Sequence, residues 1–291
     1  MSSELPPRGA CRTERGIPSR TMIVRVSSED VPALAVRDLW LGLRRTEFWW
    51  TFAVHDIKQR FRRSTFGPLW FTLNMGVMVG ALGFVFHQIL NQSISFFLPY
   101  LATGLIFWSL LTSIINDGCT AFVAGEGYIR NVPMPLSVHF YRVFARDIII
   151  WVHNMVIYVI VLLLFPPQIT TSNYLLFAPG FALFLANSAW LGLAAGILST
   201  RYRDVPQVVG SAIQVVFFVT PIFWSIEAFP DRPEFVYLNP AFHLIEIVRA
   251  PLLGQAPNTI SWWICSGLLA FGLPLTIALY RRSFARIPYW V

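Results

Sequence analysis

From Asp56 to Trp70 the chain reads D-I-K-Q-R-F-R-R-S-T-F-G-P-L-W, and from there to His87 it carries no charged side chain. Four cations, Lys58, Arg60, Arg62 and Arg63, thus lead through the Gly67-Pro68 break into an apolar run long enough to cross a bilayer. A run of about twenty apolar residues spans the hydrocarbon, and positive flanks are retained on the cytoplasmic side. This junction therefore predicts where a first span begins, which way it points, and that a basic segment lies against the inner leaflet.

The rest of the chain is consistent with that setting. Hydrophobic residues make up 55% and charged residues only 13%, against about a quarter charged in a soluble domain. The expected class is all-α integral membrane, with six transmembrane helices at about 67–89, 97–117, 137–165, 174–198, 207–226 and 259–280. Pro99 is expected in the first turn of the second span, where a missing N–H costs nothing. Residues 1–36, rich in Pro, Arg and Ser, read as a flexible tail without an apolar signal core. Residues 37–63 read as an amphipathic interface helix, with Thr46 as a possible N-cap and Trp50, Val54, Ile57 and Phe61 on one face. Glu47, Asp56, Gln59, Arg60 and Arg63 are expected on other faces. Residues 64–291 then form the six-helix domain. Between its last two spans, 227–257 holds five prolines and apolar pieces too short to cross, which predicts short re-entrant or surface helices on the outer side.

The loops supply the orientation. Those holding Lys58 to Arg63, then Arg130, Arg142 and Arg146, then Arg201 and Arg203, then Arg281, Arg282 and Arg286 carry twelve cations. The opposite set carries two, Arg232 and Arg249. Both termini are therefore expected in the cytoplasm. The net charge of +7 sits beside apolar runs, which points to anionic lipid and not to nucleic acid.

Several chemistries find no support in the residues. Lys58 is the sole lysine and has no glycines near it, so no phosphate-binding G-x-x-x-x-G-K-[ST] loop is present. Energy for any work comes from a partner or an ion gradient. Cys11, Cys119 and Cys265 are scattered, with no C-x-x-C spacing, and neither a disulfide framework nor a metal site is expected. His55 and Asp56, being adjacent, diverge on a helix and make a poor acid–base pair. His139 and His153 have no acidic partner at metal-binding spacing and read as packing residues. Arg142, Arg146 and Asp147 open the third span near its cytoplasmic end, where charge marks function or simply snorkels. Asn91-Gln92-Ser93 matches a short glycosylation pattern that often arises by chance.

Segment 118–135 is too long for a tight turn, and Glu126 and Arg130 stand four apart in it. It reads as a connector or as a docking element for a cytoplasmic partner. Aromatic residues recur through the spans, at Trp70, Phe107, Trp108, Trp151, Trp190, Phe217, Phe218, Phe223 and Trp224. Such rings pack against lipid and against each other, and those facing a pore would offer sliding contact to sugar rings.

Taken in order, D-I-K-Q-R-F-R-R-S-T-F-G-P-L-W (56–70), Y-L-A-T-G-L-I-F-W (100–108), E-G-Y-I-R-N-V-P-M-P-L-S (126–137), L-S-T-R-Y-R-D-V (198–205), V-T-P-I-F-W (219–224) and L-N-P-A-F-H-L-I-E-I-V-R (238–249) resemble the membrane subunit of bacterial polysaccharide exporters. That family is the type-2 ABC transporter permease, and the resemblance covers roughly 50–286. It implies a homodimer enclosing a channel in the bacterial inner membrane. Two separate ATP-binding subunits would carry ATP and Mg, with no cofactor or catalytic residue on this chain. The implied cargo is a lipid-linked polysaccharide, O-antigen or a similar cell-surface glycan, in contact with membrane lipids. The implied sites are an aromatic path (Trp70, Phe107, Trp108, Phe223, Trp224), an inner-leaflet entrance where Arg60, Arg62 and Arg63 meet a lipid pyrophosphate or ordinary headgroups, and a coupling surface (Glu126, Tyr128, Arg130, Arg201, Asp204). Alternatives are a permease for a small lipophilic drug or lipid, a membrane-embedded glycosyltransferase, and a passive channel.

Overall fold

The computed structural model describes residues 31–166, 171–226 and 234–291. The first thirty residues of the expected tail, part of the 166–173 connection, and Glu227, Asp231 and Arg232 lie outside them. Among the described residues there are twelve α-helices and no strand. They are α1 (Val31–Arg44), α2 (Thr46–Arg60), α3 (Leu69–Ile89), α4 (Ile94–Thr120), α5 (Glu126–Asn131), α6 (Ser137–Leu164), α7 (Thr171–Leu175), α8 (Phe177–Arg201), α9 (Val205–Val219), α10 (Pro240–Leu252), α11 (Thr259–Ser283) and α12 (Ile287–Trp290).

Five helices, α3, α4, α6, α8 and α11, are long and apolar enough to cross a bilayer. Burial ranks them. In the most apolar stretch of α4, 72% of residues are buried within the protein, against 11% in α3. Helix α4 is therefore the central post, and α3 is peripheral with an outward apolar face. Helices α6 and α8 pack on α4, and α11 packs on α8.

Helices α4 and α8 meet backbone to backbone. A Cβ at Gly192 would lie 2.6 Å from the Ile114 carbonyl oxygen, and one at Gly118 or at Gly196 would lie 2.6 Å from a backbone oxygen of the facing helix. Gly192 and Gly196 stand four apart, the small-xxx-small spacing that lets membrane helices touch. Gly67 has φ +53°, a left-handed turn that glycine adopts without strain, and Pro68 then enters α3 with helical φ.

The fifth expected span differs most. Helix α9 has 15 residues, about 22 Å of helix, and it stops at Val219, not at 226. Pro221 disfavours helical backbone at Thr220, which is extended. The irregular stretch that follows is buried and held by side chains: Tyr100 Oη and Arg249 Nη1 both donate to the Pro221 carbonyl, at 2.9 and 2.7 Å. Non-helical backbone at membrane depth persists only where protein satisfies it.

Four other expectations shift. The single interface helix is two helices broken at Arg45, and α1 already begins at Val31. Thr46 is the first residue of α2, not its cap, and α2 has no side-chain cap. Helix α4 starts at Ile94, so Pro99 lies in its second turn. Between α9 and α11, where short re-entrant or surface helices are expected, α10 excludes the surface form: eleven of its thirteen residues are buried, against α4, α8 and α11.

Candidate functional site

The cationic ends of the helices gather at one end of the molecule. Pro133 and Pro135 forbid helix just upstream, so α6 begins at Ser137 with its first N–H groups unpaired by its own backbone. Asp38 of α1 supplies the missing acceptor. Its carboxylate takes Leu136 N–H at 2.8 Å and Ser137 N–H at 3.0 Å, and accepts Tyr280 Oη–H of α11 at 2.6 Å. Ser137 Oγ donates back to the Asp38 carbonyl at 2.8 Å, and Tyr141 Oη donates to the Leu39 carbonyl at 3.1 Å. One buried carboxylate thus joins α1, α6 and α11, where negative charge suits a helix N-terminus. Asp38→Ala should weaken folding by roughly 2 kcal/mol or more, since a cap and a buried acceptor are lost together. Thermal unfolding in lipid nanodiscs with limited proteolysis near Arg45 measures this; an unchanged melt and cleavage pattern would rule the lock out.

A second polar cluster ties α2 to the spans. Arg142 binds Asp56 through two bonds, Nε to Oδ2 at 2.6 Å and Nη2 to Oδ1 at 2.5 Å, a bidentate pair. Arg146 reaches Asp117 of α4 at 2.5 Å, Asp147 at 3.5 Å and Asp56 at 3.9 Å. Asp147 is buried, and neither of its carboxylate oxygens accepts a hydrogen bond among the described residues. Asp56, expected on a polar face, therefore points inward. The buried stripe of α2 runs through Ala53 and Ile57, while Trp50 is 51% exposed. The cations of α6 draw the helix around by about one residue.

The coupling candidates lie on this same end. Glu126 and Arg130 form an exposed i,i+4 pair at 2.9 Å, and Arg130 also donates to the Val291 carbonyl. Tyr128 packs on Phe52 of α2 with ring centroids 5.4 Å apart and lies 6.4 Å from His139. Arg201 sits over the rings of Tyr202 and Trp290, at 5.2 and 5.5 Å. Asp204 is exposed at the start of α9 and makes no capping bond there. Helices α2, α5 and α12 with the 201–204 turn thus form one surface. At its edge, Arg60 lies over Phe71 at 5.3 Å, and Arg62 and Arg63 are exposed.

The aromatic candidates divide. Trp108 borders a cleft of about 350 Å³ between α3, α4 and α9 and packs on Phe217 at 5.6 Å. Ser109, Thr112 and Gln214 add polar groups to that cleft, and Met75 and Met78 form its α3 side. None of these five stands among the sequence candidates. Gln214 is the sort of polar residue in an apolar helix that draws notice. Phe223 joins Phe86, Phe217 and Phe218 at the far end of α3 and α9. Trp70 is exposed at the opposite, arginine-rich end of α3. Phe107 is fully buried among Trp151, Phe177, Phe181 and Phe184, and Trp224 is buried beside Val236 and Phe242. These two rings pack the protein interior and do not border the cleft.

Two histidines named in the sequence have local partners. His55 pairs with Gln59 on the surface at 2.7 Å, and His153 Nδ1 meets the Ile149 carbonyl at 2.8 Å. Among the described residues no three His, Cys, Asp or Glu side chains group as metal ligands would.

The described residues thus define a multi-helix membrane domain with a basic, helix-capped end and a cleft along its flank. Residues 47–253 match the ABC-2 type transporter family, and the chain belongs to that family. It is a multi-pass membrane component of an ABC transporter. It is 24% identical to the O-antigen export system permease protein RfbA of Klebsiella pneumoniae, over 76% of this chain and 85% of that protein. It is 23% identical to the protein of the same name from Myxococcus xanthus, over 67% of this chain and 76% of that one.

Proposed function

We propose that this chain is the channel-forming subunit of an exporter for a lipid-linked polysaccharide, O-antigen or a similar surface glycan. The carrying observation is the cleft between α3, α4 and α9, where Trp108 and Phe217 offer ring faces beside Ser109, Thr112 and Gln214. The surface is mainly apolar, since Ser109 and Thr112 donate their hydroxyls to carbonyls of α4, and a lining of ring faces with few free polar groups suits a sugar chain that must slide without being held. The names of the relatives favour this cargo over a drug or a lipid.

In this reading two copies face each other across their clefts, and α9 completes a sixth crossing with the buried segment after it. The arginine-rich end faces the cytoplasm of a bacterial inner membrane, and both termini lie on that side, a reading supported by the twelve cations of the loops there. Two ATP-binding subunits dock on α2, α5, α12 and the 201–204 turn, where Glu126, Tyr128, Arg130, Arg201 and Asp204 meet them. ATP and Mg bind on those subunits. Arg60, Arg62 and Arg63 receive the phosphates of the carrier lipid at the inner leaflet, and Trp70, Trp108 and Phe223 mark the route outward.

Deleting the coding sequence in a strain without a second copy should abolish surface glycan and leave lipid-linked glycan inside, with both restored by the plasmid-borne chain. Normal surface glycan in the deletion, or sensitivity to one lipophilic compound with the glycan intact, would overturn the proposal.

A further inference from the structure

At the end of the molecule away from the arginines, a pocket of about 180 Å³ opens between α4, the 3-10 turn Glu234–Leu238 and α10. Its volume equals about six waters, the scale of a single sugar ring and well below that of a drug-sized site. Its walls combine two chemistries seldom found together inside a membrane protein. Tyr237 supplies a ring that is 38% exposed, with Phe242 behind it at 87° and centroids 5.7 Å apart, while the Tyr100 ring lies deeper, between Arg249 and Phe96. Glu246 and Arg249 supply a charge pair at 3.3 Å.

Arg249 is 3% exposed, and a charge buried this deeply is costly unless it is held for a purpose. It is held closely: its guanidinium lies 4.0 Å from the Tyr100 ring centroid and donates to the Pro221 carbonyl. The aromatic side is equally fixed, since His243 bridges the Tyr237 carbonyl and Ser261 Oγ, each at 2.9 Å. The Arg249 side chain and the backbone beneath the Tyr237 ring are therefore held in place before any ligand arrives. A lipid tail would gain nothing from the pair, and a free anion would meet the Glu246 carboxylate. The complementary ligand is uncharged, has one apolar face, and carries hydroxyls that both donate to a carboxylate and accept from a guanidinium.

From this we propose that the pocket binds one neutral sugar residue of the chain being carried, as a station at the exit end. The identity of the cargo rests on the export reading above, whereas the pocket is a separate claim about where that cargo is held.

The two are separated by photo-crosslinking in cells that make the glycan. Benzoylphenylalanine is placed at Tyr237 in the pocket, at Leu238 next to it (85% exposed and outside the pocket lining), or at Phe217 in the cleft. Glycan-bearing adducts are expected at 217 and at 237, with at least a fivefold excess of 237 over 238. Adding Glu246→Gln should lower the yield at 237 several-fold and leave 217 unchanged. Should that variant fail to accumulate, Gln255→Ala at the exposed rim gives the same reading, with an expected two- to threefold loss. Adducts at 217 but none at 237, equal yields at 237 and 238, or no effect of Gln255→Ala would overturn the pocket and leave the export reading standing. Absence of adducts at all positions would overturn both.

Discussion

Arg146→Met should cost the folded state about 1–3 kcal/mol, the loss usual when a buried polar group is left without its partner. The reason lies in what remains. Arg146 lies within 4 Å of three carboxylates: Asp117 at 2.5 Å, Asp147 at 3.5 Å and Asp56 at 3.9 Å. Asp56 keeps Arg142, and the Asp117 side chain is 40% exposed and can turn to water. Asp147 has neither refuge, with its side chain fully buried and no hydrogen bond to its oxygens among the described residues. A double-mutant cycle isolates this. Arg146→Met with Asp147→Leu should recover most of the lost stability, because no unpartnered carboxyl is then left in the interior. The measurement is equilibrium unfolding in detergent or nanodiscs of four proteins: the parent, each single variant and the double. If the double variant is no more stable than Arg146→Met alone, Asp147 is not the source of the cost.

Gly192→Val should be comparably damaging through sterics alone. The added Cβ falls 2.6 Å from the Ile114 carbonyl oxygen and 2.9 Å from Ile114 Cγ2, and the first of these atoms is backbone and cannot swing away. Helices α4 and α8 must move apart along the seam that Gly118 and Gly196 also form, at the centre of the protein. Overpacking at such a site costs on the order of 1–3 kcal/mol, and a rigid backbone opponent argues for the upper end. Gly192→Ala should fall between the parent and Gly192→Val. Gly267→Ala is the control, because a Cβ there meets nothing within 4 Å and alanine favours the helix of α11. Thermal midpoints ranked in the order Gly267→Ala, Gly192→Ala, Gly192→Val are expected; equal midpoints for all three would remove the close seam from the account.

Much of this protein is readable one helix at a time. Membrane helices are apolar over a length set by the bilayer, so α3, α4, α6, α8 and α11 lie within a few residues of the expected spans. The proline at 221 already contradicts a helix through to 226, because a residue before proline leaves the helical region. The Gly192-x-x-x-Gly196 spacing was there to be read as a close seam. Asp38 gave no such signal. It sits 98 residues from Leu136 in sequence, and nothing local distinguishes an aspartate that caps a distant helix from one on a solvated face. Phe107 and Trp108 make the same point in adjacent positions. Both are large aromatics on one helix, yet successive side chains diverge by about 100°, and only the neighbours decide that one faces Phe181 and Phe184 while the other borders the cleft.

The Lys58–Trp70 junction by itself determined the class of molecule, the start of its first span and the basic character of one end, because charge and hydropathy act residue by residue on transfer into lipid. Tertiary structure alone decided that Asp56 turns inward to Arg142, that α10 is buried, and that Tyr237, Glu246 and Arg249 share one pocket. Those outcomes depend on which groups meet across helices far apart in the chain, and that is a property of packing, not of any stretch read alone.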